Sequence, residues 1–286
     1  MNRKGVSFMK TLWKGAVSFG LVNIPVSMYV ATENKDLKFH YLHQTCMAPV
    51  NYKKVCSKCD QEVKPEEMVR GYEFQKGSYI IMNEEDFARV PQENTKTIDI
   101  LDFVKLEQVD PIYFDKTYYL EPSSGGDKAY TLIVEAMKKT GRIAIAKIMI
   151  RSKQSLAALR VKDEHLIMET IFYPDEIRSP ASLGSGVGVE KLHDNELKMA
   201  VDLIENLSID FDPGRYEDEY RQALWEMIEA KIAGQEYVSP VAEPQGGKVV
   251  DLMEALKASV QMTEAKKSKA APKKKANTSK RAKTGT

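Results

Sequence analysis

The sequence predicts an α+β protein centred on a bent, barrel-type sheet, and three kinds of stretch carry the prediction. Residues 12–32 read as a long strand pair, in which Ala16, Val17, Phe19, Leu21, Val22, Ile24, Val26, Met28 and Val30 are β-prone and apolar. Gly15, Gly20 and Pro25 interrupt them where strands bend, bulge or run along an edge, and barrels require such bends. From residue 142 three more strands, 142–151, 155–162 and 166–173, are separated only by short polar turns at 152–154 and 163–165, which makes a meander. Helices with legible ends lie between and after these strands.

Taken in order, residues 12–82 read as strand-rich, with a Cys/His segment at 40–59 inserted between strands. Asn83 is placed to cap a short helix at 84–90. Strand-forming residues return at 97–109 and 116–120. Asp127 is expected to cap a helix over 128–140, with Lys138 and Lys139 in its last turn and Gly141 at its end. Beyond the meander, helices are expected at 195–207 and 215–233. The second sets Tyr216, Tyr220, Ala223, Leu224, Met227, Ile228 and Ile232 at helical spacing and stops at Gly234. Pro240, Pro244, Gly246 and Gly247 mark 235–248 as a linker. A last amphipathic helix, 249–262, presents Leu252, Leu256 and Val260, and a lysine-rich stretch, 263–286, follows. The expected organisation is thus a core at 1–234, a linker, an isolated helix and a tail, without internal repeats.

Composition narrows the class. At 286 residues and 43% hydrophobic content the chain can bury a sizeable core. From Ala265 onward there are nine Lys or Arg, no acid and no aromatic or large aliphatic residue, so this tail is expected to be disordered. Removing those nine from the 42 basic residues leaves 33 against 41 acidic ones, an acidic body with a basic tail. No long apolar run escapes charge or glycine, and MNRKGVSF lacks a signal-peptide core. A cytoplasmic protein without membrane association is expected, with Met9 as an alternative start. Three cysteines is an odd count that argues against a disulfide framework.

No phosphate loop, nucleophile elbow or H-E-x-x-H motif is present, so no catalytic residue is assigned. Gly184, Gly186 and Gly188 read as a flexible loop. Asp175 and Glu176, beside Pro174 and Arg178, read as a turn with an ion pair rather than an acid–base dyad.

His43, Cys46, Cys56 and Cys59 have the spacing H-x2-C-x9-C-x2-C, in which each close pair can give two ligands to one tetrahedral structural Zn²⁺. Four protein ligands leave no open position for catalysis. His40 is an alternative to His43, and free or redox-active thiols are the alternative to a metal.

Four segments together resemble bacterial Ku. They are LWKGAVSFGLVNIPVSMYVAT at 12–32, DPIYFDKTYYLEP at 110–122, RIAIAKIMIRSKQSLAALRVK at 142–162 and YPDEIR at 173–178, in the family's order. Several long segments in order are much harder to meet by chance than one short pattern. The resemblance implies a β-barrel core with strand-rich, ring-forming arms, and a homodimer built on a two-fold axis. It further implies sequence-independent binding of double-stranded DNA ends, their protection, and recruitment of ATP-dependent DNA ligase D in non-homologous end joining. The segment engaging the ligase would be 249–262, through Leu252, Leu256 and Val260.

A protein that holds any end must use phosphates, which Lys and Arg serve. By period-2 alternation Lys147 and Arg151 share one strand face, and Arg160 and Lys162 share a face of the next strand. Across a hairpin these could form one cationic strip. Alone this would read as a solvated strand face; the resemblance makes it the lining of the opening around duplex DNA. Lys14, Arg142, Lys153 and Arg178 are secondary candidates. The N-terminal apolar strands and the 215–233 helix are candidates for the dimer interface or for ordinary core. Two other classes stay open: a lyase acting at abasic sites through a Schiff-base lysine, and a zinc-ribbon regulator.

Overall fold

The computed structural model describes residues 9–90, 96–150, 153–183, 192–235 and 252–270. The chain divides into two compact units, Met1–Ser182 and Leu183–Thr286.

In the first unit, β1 (Trp13–Phe19) and β2 (Val22–Val30) form the expected hairpin around Gly20, whose φ of 59° suits glycine. A small excursion follows: β3 (Arg70–Gln75), β4 (Ser78–Met82) and α1 (Glu84–Arg89). The chain returns through β5 (Thr97–Val104), β6 (Phe114–Pro122), α2 (Asp127–Thr140), β7 (Ile143–Ile150), β8 (Lys153–Lys162) and β9 (His165–Ile171). Seven strands close into a barrel in the order β1-β2-β6-β9-β8-β7-β5. Its neighbours are antiparallel except at the closing seam, where β1 and β5 run parallel with Ala16 opposite Thr97.

Alternation decides the core. Val17, Ile24, Val26, Met28, Ile98, Leu120, Ala146, Ile148, Leu159, Leu166 and Met168 point inward and are at most 1% exposed. α2 closes one end. Its Tyr130, Ile133, Val134 and Met137 join the barrel core, and the Tyr130 hydroxyl donates to the Leu120 carbonyl (2.6 Å) while accepting the Leu166 N–H (2.7 Å). Burial pushes this phenol above its ordinary pKa, with the Leu166 N–H opposing.

The β3–β4 ribbon is different in kind. Tyr72, Phe74, Tyr79, Ile80 and Ile81 are all exposed, and Arg70 sits over the Phe87 ring of α1, 5.2 Å from its centroid. An isolated two-stranded ribbon is marginal by itself.

In the second unit, α3 (Asp194–Leu207) packs against α5 (Leu252–Ala270), with α4 (Glu219–Ile232) between them in sequence. Among the described residues no helix is long and apolar enough to cross a membrane.

Several boundaries differ from expectation for local reasons. Asp127 is the first helical residue rather than the cap; Gly126 takes the cap position, where a Cβ would lie 2.8 Å from the Pro25 carbonyl oxygen. α4 starts four residues late because Pro213–Arg215 forms a 3-10 turn and the Asp218 side chain caps the helix by accepting the Arg221 N–H. β8 begins at Lys153, inside the expected turn. α5 runs past Met262 to Ala270, where alanines and lysines are good helix formers. The glycine loop at 184–188, nearly all of the expected linker and residues 271–286 lie outside the described residues.

Candidate nucleic-acid interface

The β7–β8 hairpin decides what becomes of the expected cationic strip. Ala144, Ala146 and Ile148 of β7 and Ala157 and Leu159 of β8 fill the barrel, so Lys147, Arg160 and Lys162 face outward, as alternation requires. They do not meet. Lys147 is opposite Leu156 and Asp99, four residues from the level of Arg160, a separation of about 13 Å. The buried Ala158 lies between. Arg151 is outside the described residues.

Arg160 is also engaged. Its Nε and Nη2 donate to both carboxylate oxygens of Glu169 at 2.8 and 2.7 Å, a bidentate pair whose side chains are 29% and 12% exposed. Hydrogen bonding to Glu169 raises the guanidinium pKa further. Arg160 is therefore neutralised by its own barrel, and the uniform strip of the sequence reading is corrected to separate cations. Alternation and the two-residue β8–β9 turn could have revealed this, since they set Arg160 opposite Ile167 and diagonal to Glu169.

The remaining basic candidates fall in different places. Lys14 faces outward from β1 opposite Ser27, and Lys162 is exposed and paired in register with His165. Arg142 is exposed at the α2–β7 junction, and Arg178 is exposed beyond the 3-10 turn Pro174–Glu176. Lys153 lies at the end of the barrel opposite α2, lining a cavity of about 520 Å³ with Asp115, Lys116, Thr170, Tyr173 and Glu176. It pairs with Glu176 at 3.1 Å. The Tyr173 N–H first, and then Lys153, hold the Glu176 carboxyl below its usual range. The ion pair of this turn thus runs to Lys153.

The Cys/His segment folds into two equivalent knuckles offset by 13 residues. In one, Leu42 bridges Pro49, the His43 N–H bonds the Ala48 carbonyl, the Met47 N–H bonds the His43 carbonyl, and Met47 has φ 54°. In the other, Val55 bridges Glu62, the Cys56 N–H bonds the Gln61 carbonyl, the Asp60 N–H bonds the Cys56 carbonyl, and Asp60 has φ 56°. His43 and Cys46 thus occupy the positions of Cys56 and Cys59, and His40 has no counterpart. His43 Nδ1 lies 3.1 Å from Cys46 Sγ. Cys56 is held below the ordinary thiol pKa by the Cys59 N–H, then the Lys58 N–H, then the Cys59 side chain. Each knuckle therefore offers two donors suited to Zn²⁺. Among the described residues, no three His, Cys, Asp or Glu are gathered as a metal-holding group.

The closed barrel at the centre of this arrangement has a match among known families. The model of the Ku family, described as the Ku70/Ku80 β-barrel domain, matches residues 18–199. The chain belongs to the Ku family. Curated relatives agree. It is 51% identical over 260 residues, 91% of the chain and 64% of its relative, to a protein named non-homologous end joining protein Ku from Symbiobacterium thermophilum. Proteins of the same name from Bacillus subtilis and Heliobacterium modesticaldum are 46% and 47% identical over 91% and 93% of the chain, covering 85% and 97% of those relatives.

Within this Ku chain the matched stretch takes in β2 to β9 and the first part of α3, so the knuckles and all the described meander cations fall inside it. Of the apolar residues of the β1–β2 hairpin, Val17, Ile24, Val26 and Met28 are barrel core at no more than 1% exposed, whereas Phe19, Leu21, Val22 and Val30 are exposed. On α4, Tyr220, Trp225 and Ile232 are exposed. On α5, Leu256 and Val260 are half-buried where the helix packs against α3, and the side chain of Leu252 lies outside the described set.

Proposed function

We propose that this Ku chain binds double-stranded DNA ends without regard to sequence, as a ring-shaped homodimer that protects the ends and recruits ATP-dependent DNA ligase D in non-homologous end joining. The observation that carries the reading is the closed seven-stranded barrel of the Ku family, in a chain whose relatives, by name end-joining proteins, align over nine-tenths of its length. The exposed Lys14, Lys147, Arg142, Lys162 and Arg178 suit phosphate contacts. The protein acts by binding rather than catalysis, and works on DNA in the cytoplasm. Two features support recruitment by the second unit: the expected partner helix is formed, and exposed apolar side chains accompany it on α3 and α4.

The deciding experiment is topological. A ring must be threaded, so linear duplex is expected to bind far better than the same DNA covalently closed into a circle, whatever the end sequence. Equal affinity at one fixed salt concentration overturns the ring. Lys162 provides a local test: Lys162→Ala should weaken binding evenly across sequences and reduce the log–log salt slope by about one unit. An unchanged slope removes Lys162 from the interface.

The two knuckles support a structural role for Zn²⁺ held by His43, Cys46, Cys56 and Cys59, one ion joining the two ligand pairs. Such a metal contributes folding energy. Protein purified without chelator is expected to carry one zinc per chain, and chelation or Cys56→Ser should lower its melting temperature. Metal-free protein with the same melting curve rules this role out.

A further inference from the structure

On the outer face of β2, β6, β9 and β8 lies a cavity of about 450 Å³. Register builds its walls. Tyr29 of β2 stands directly opposite Tyr119 of β6, and both are half-buried. This sets their Cβ atoms about 5 Å apart, and both side chains line the cavity. Glu121 follows two residues along β6 on the same face. Lys162 and His165 face each other across the β8–β9 hairpin, and Asp163 sits in its turn. All of these line the one cavity.

Asp163 and Glu164 adopt φ of 47° and 68°, the left-handed region that matches hairpin twist but is costly for residues other than glycine. Glu164 pairs with Lys138 of α2. The groups on either side of the turn are thereby presented in one place.

Each wall has a counterpart on a nucleotide. Aromatic faces stack on a base. Carboxylates accept hydrogen bonds from exocyclic amino groups, and lysine and histidine donate to phosphate. An apolar groove needs no charge, and a bare phosphate site would not hold Glu121 and Asp163. The volume lies within the range of small-molecule sites.

We propose that this cavity binds a single unpaired nucleotide, its base against Tyr29 or Tyr119 and its phosphate toward Lys162 and His165. The two carboxylates favour amino-bearing bases, guanine first, over thymine. Two sources share this chemistry: a free nucleoside monophosphate, and the unpaired nucleotide of a DNA overhang. The second source rests on the end-binding reading above.

Two arms test it on the full chain. In calorimetry without DNA, dGMP should bind saturably, dTMP and inorganic phosphate more weakly, and Tyr119→Ala should weaken dGMP roughly tenfold. In the DNA arm, a duplex with a one-nucleotide 3′ guanine overhang should bind more tightly than the blunt duplex at equal salt. Tyr119→Ala and Glu121→Gln should each erase that difference and leave blunt-end affinity unchanged. Glu121→Gln keeps the side-chain volume, and melting curves confirm that both variants fold. A response in the first arm alone assigns a free nucleotide; in the second alone, an overhang. No response in either arm, with blunt ends bound normally, overturns the site. Loss of blunt-end binding by the wild-type protein would instead overturn the end-binding reading, with the dGMP arm still deciding the cavity.

Discussion

Replacing Gly15 by alanine is expected to destabilise the barrel by about 3 kcal/mol, lowering its melting temperature by roughly 6–12 °C. A Cβ at this position would lie 2.1 Å from the Lys96 carbonyl oxygen and 2.2 and 2.5 Å from Cη2 and Cζ2 of Trp13. The indole could swing aside. The carbonyl cannot, because it accepts the Ala16 N–H at 2.9 Å, the bond next to the parallel β1–β5 seam that closes the barrel. The methyl group therefore has to push apart the strands whose pairing removes the sheet's edges. Thermal melting of Gly15→Ala beside Gly20→Ala makes the comparison specific. At Gly20 a Cβ meets nothing within 4 Å and only the φ of 59° is strained, so the cost there should be nearer 1 kcal/mol. Equal losses at the two glycines would show that conformational strain, not closure of the seam, sets the requirement at Gly15.

Removing the Arg160 side chain is expected to cost about 2–3 kcal/mol of stability, less than for a fully buried pair because the guanidinium is partly exposed. Arg160→Ala leaves the Glu169 carboxylate, 12% exposed, without the two donors that satisfy it. Breaking such a pair costs more than replacing both members, so Arg160→Met with Glu169→Leu should recover most of the loss. Urea unfolding of the two single variants and the double variant measures this. A fully stable Arg160→Ala that instead lowers the salt slope of DNA binding would restore Arg160 to the phosphate interface.

The contrast between Arg160 and Lys162 shows where sequence reading stopped. Alternation placed both on one face, and the structure keeps them there, exposed at Lys162 and paired at Arg160. The difference lies in Glu169, nine residues away and reached only through the β8–β9 register. The same holds for Tyr29 and Tyr119, which are 90 residues apart and meet only because β2 pairs with β6. The knuckles are the opposite case: the bonds that shape them span at most nine residues, so their equivalence was already implicit in the repeated x2 spacing.

The class of fold, most strand and helix positions, the Ku resemblance and the candidate ligands His43, Cys46, Cys56 and Cys59 are all legible in the amino-acid order. These rest on periodicity, on turn and cap residues and on local spacing, all of which act within a few residues of chain. The folded chain was needed to show that the sheet closes through a parallel β1–β5 seam, that Arg160 is neutralised by Glu169, and that α5 packs against α3. It alone gathered two tyrosines, two carboxylates, a lysine and a histidine around one cavity. Each of these is a pairing between distant segments, and which residue stands opposite which is fixed by strand register and core packing, quantities that no single segment contains.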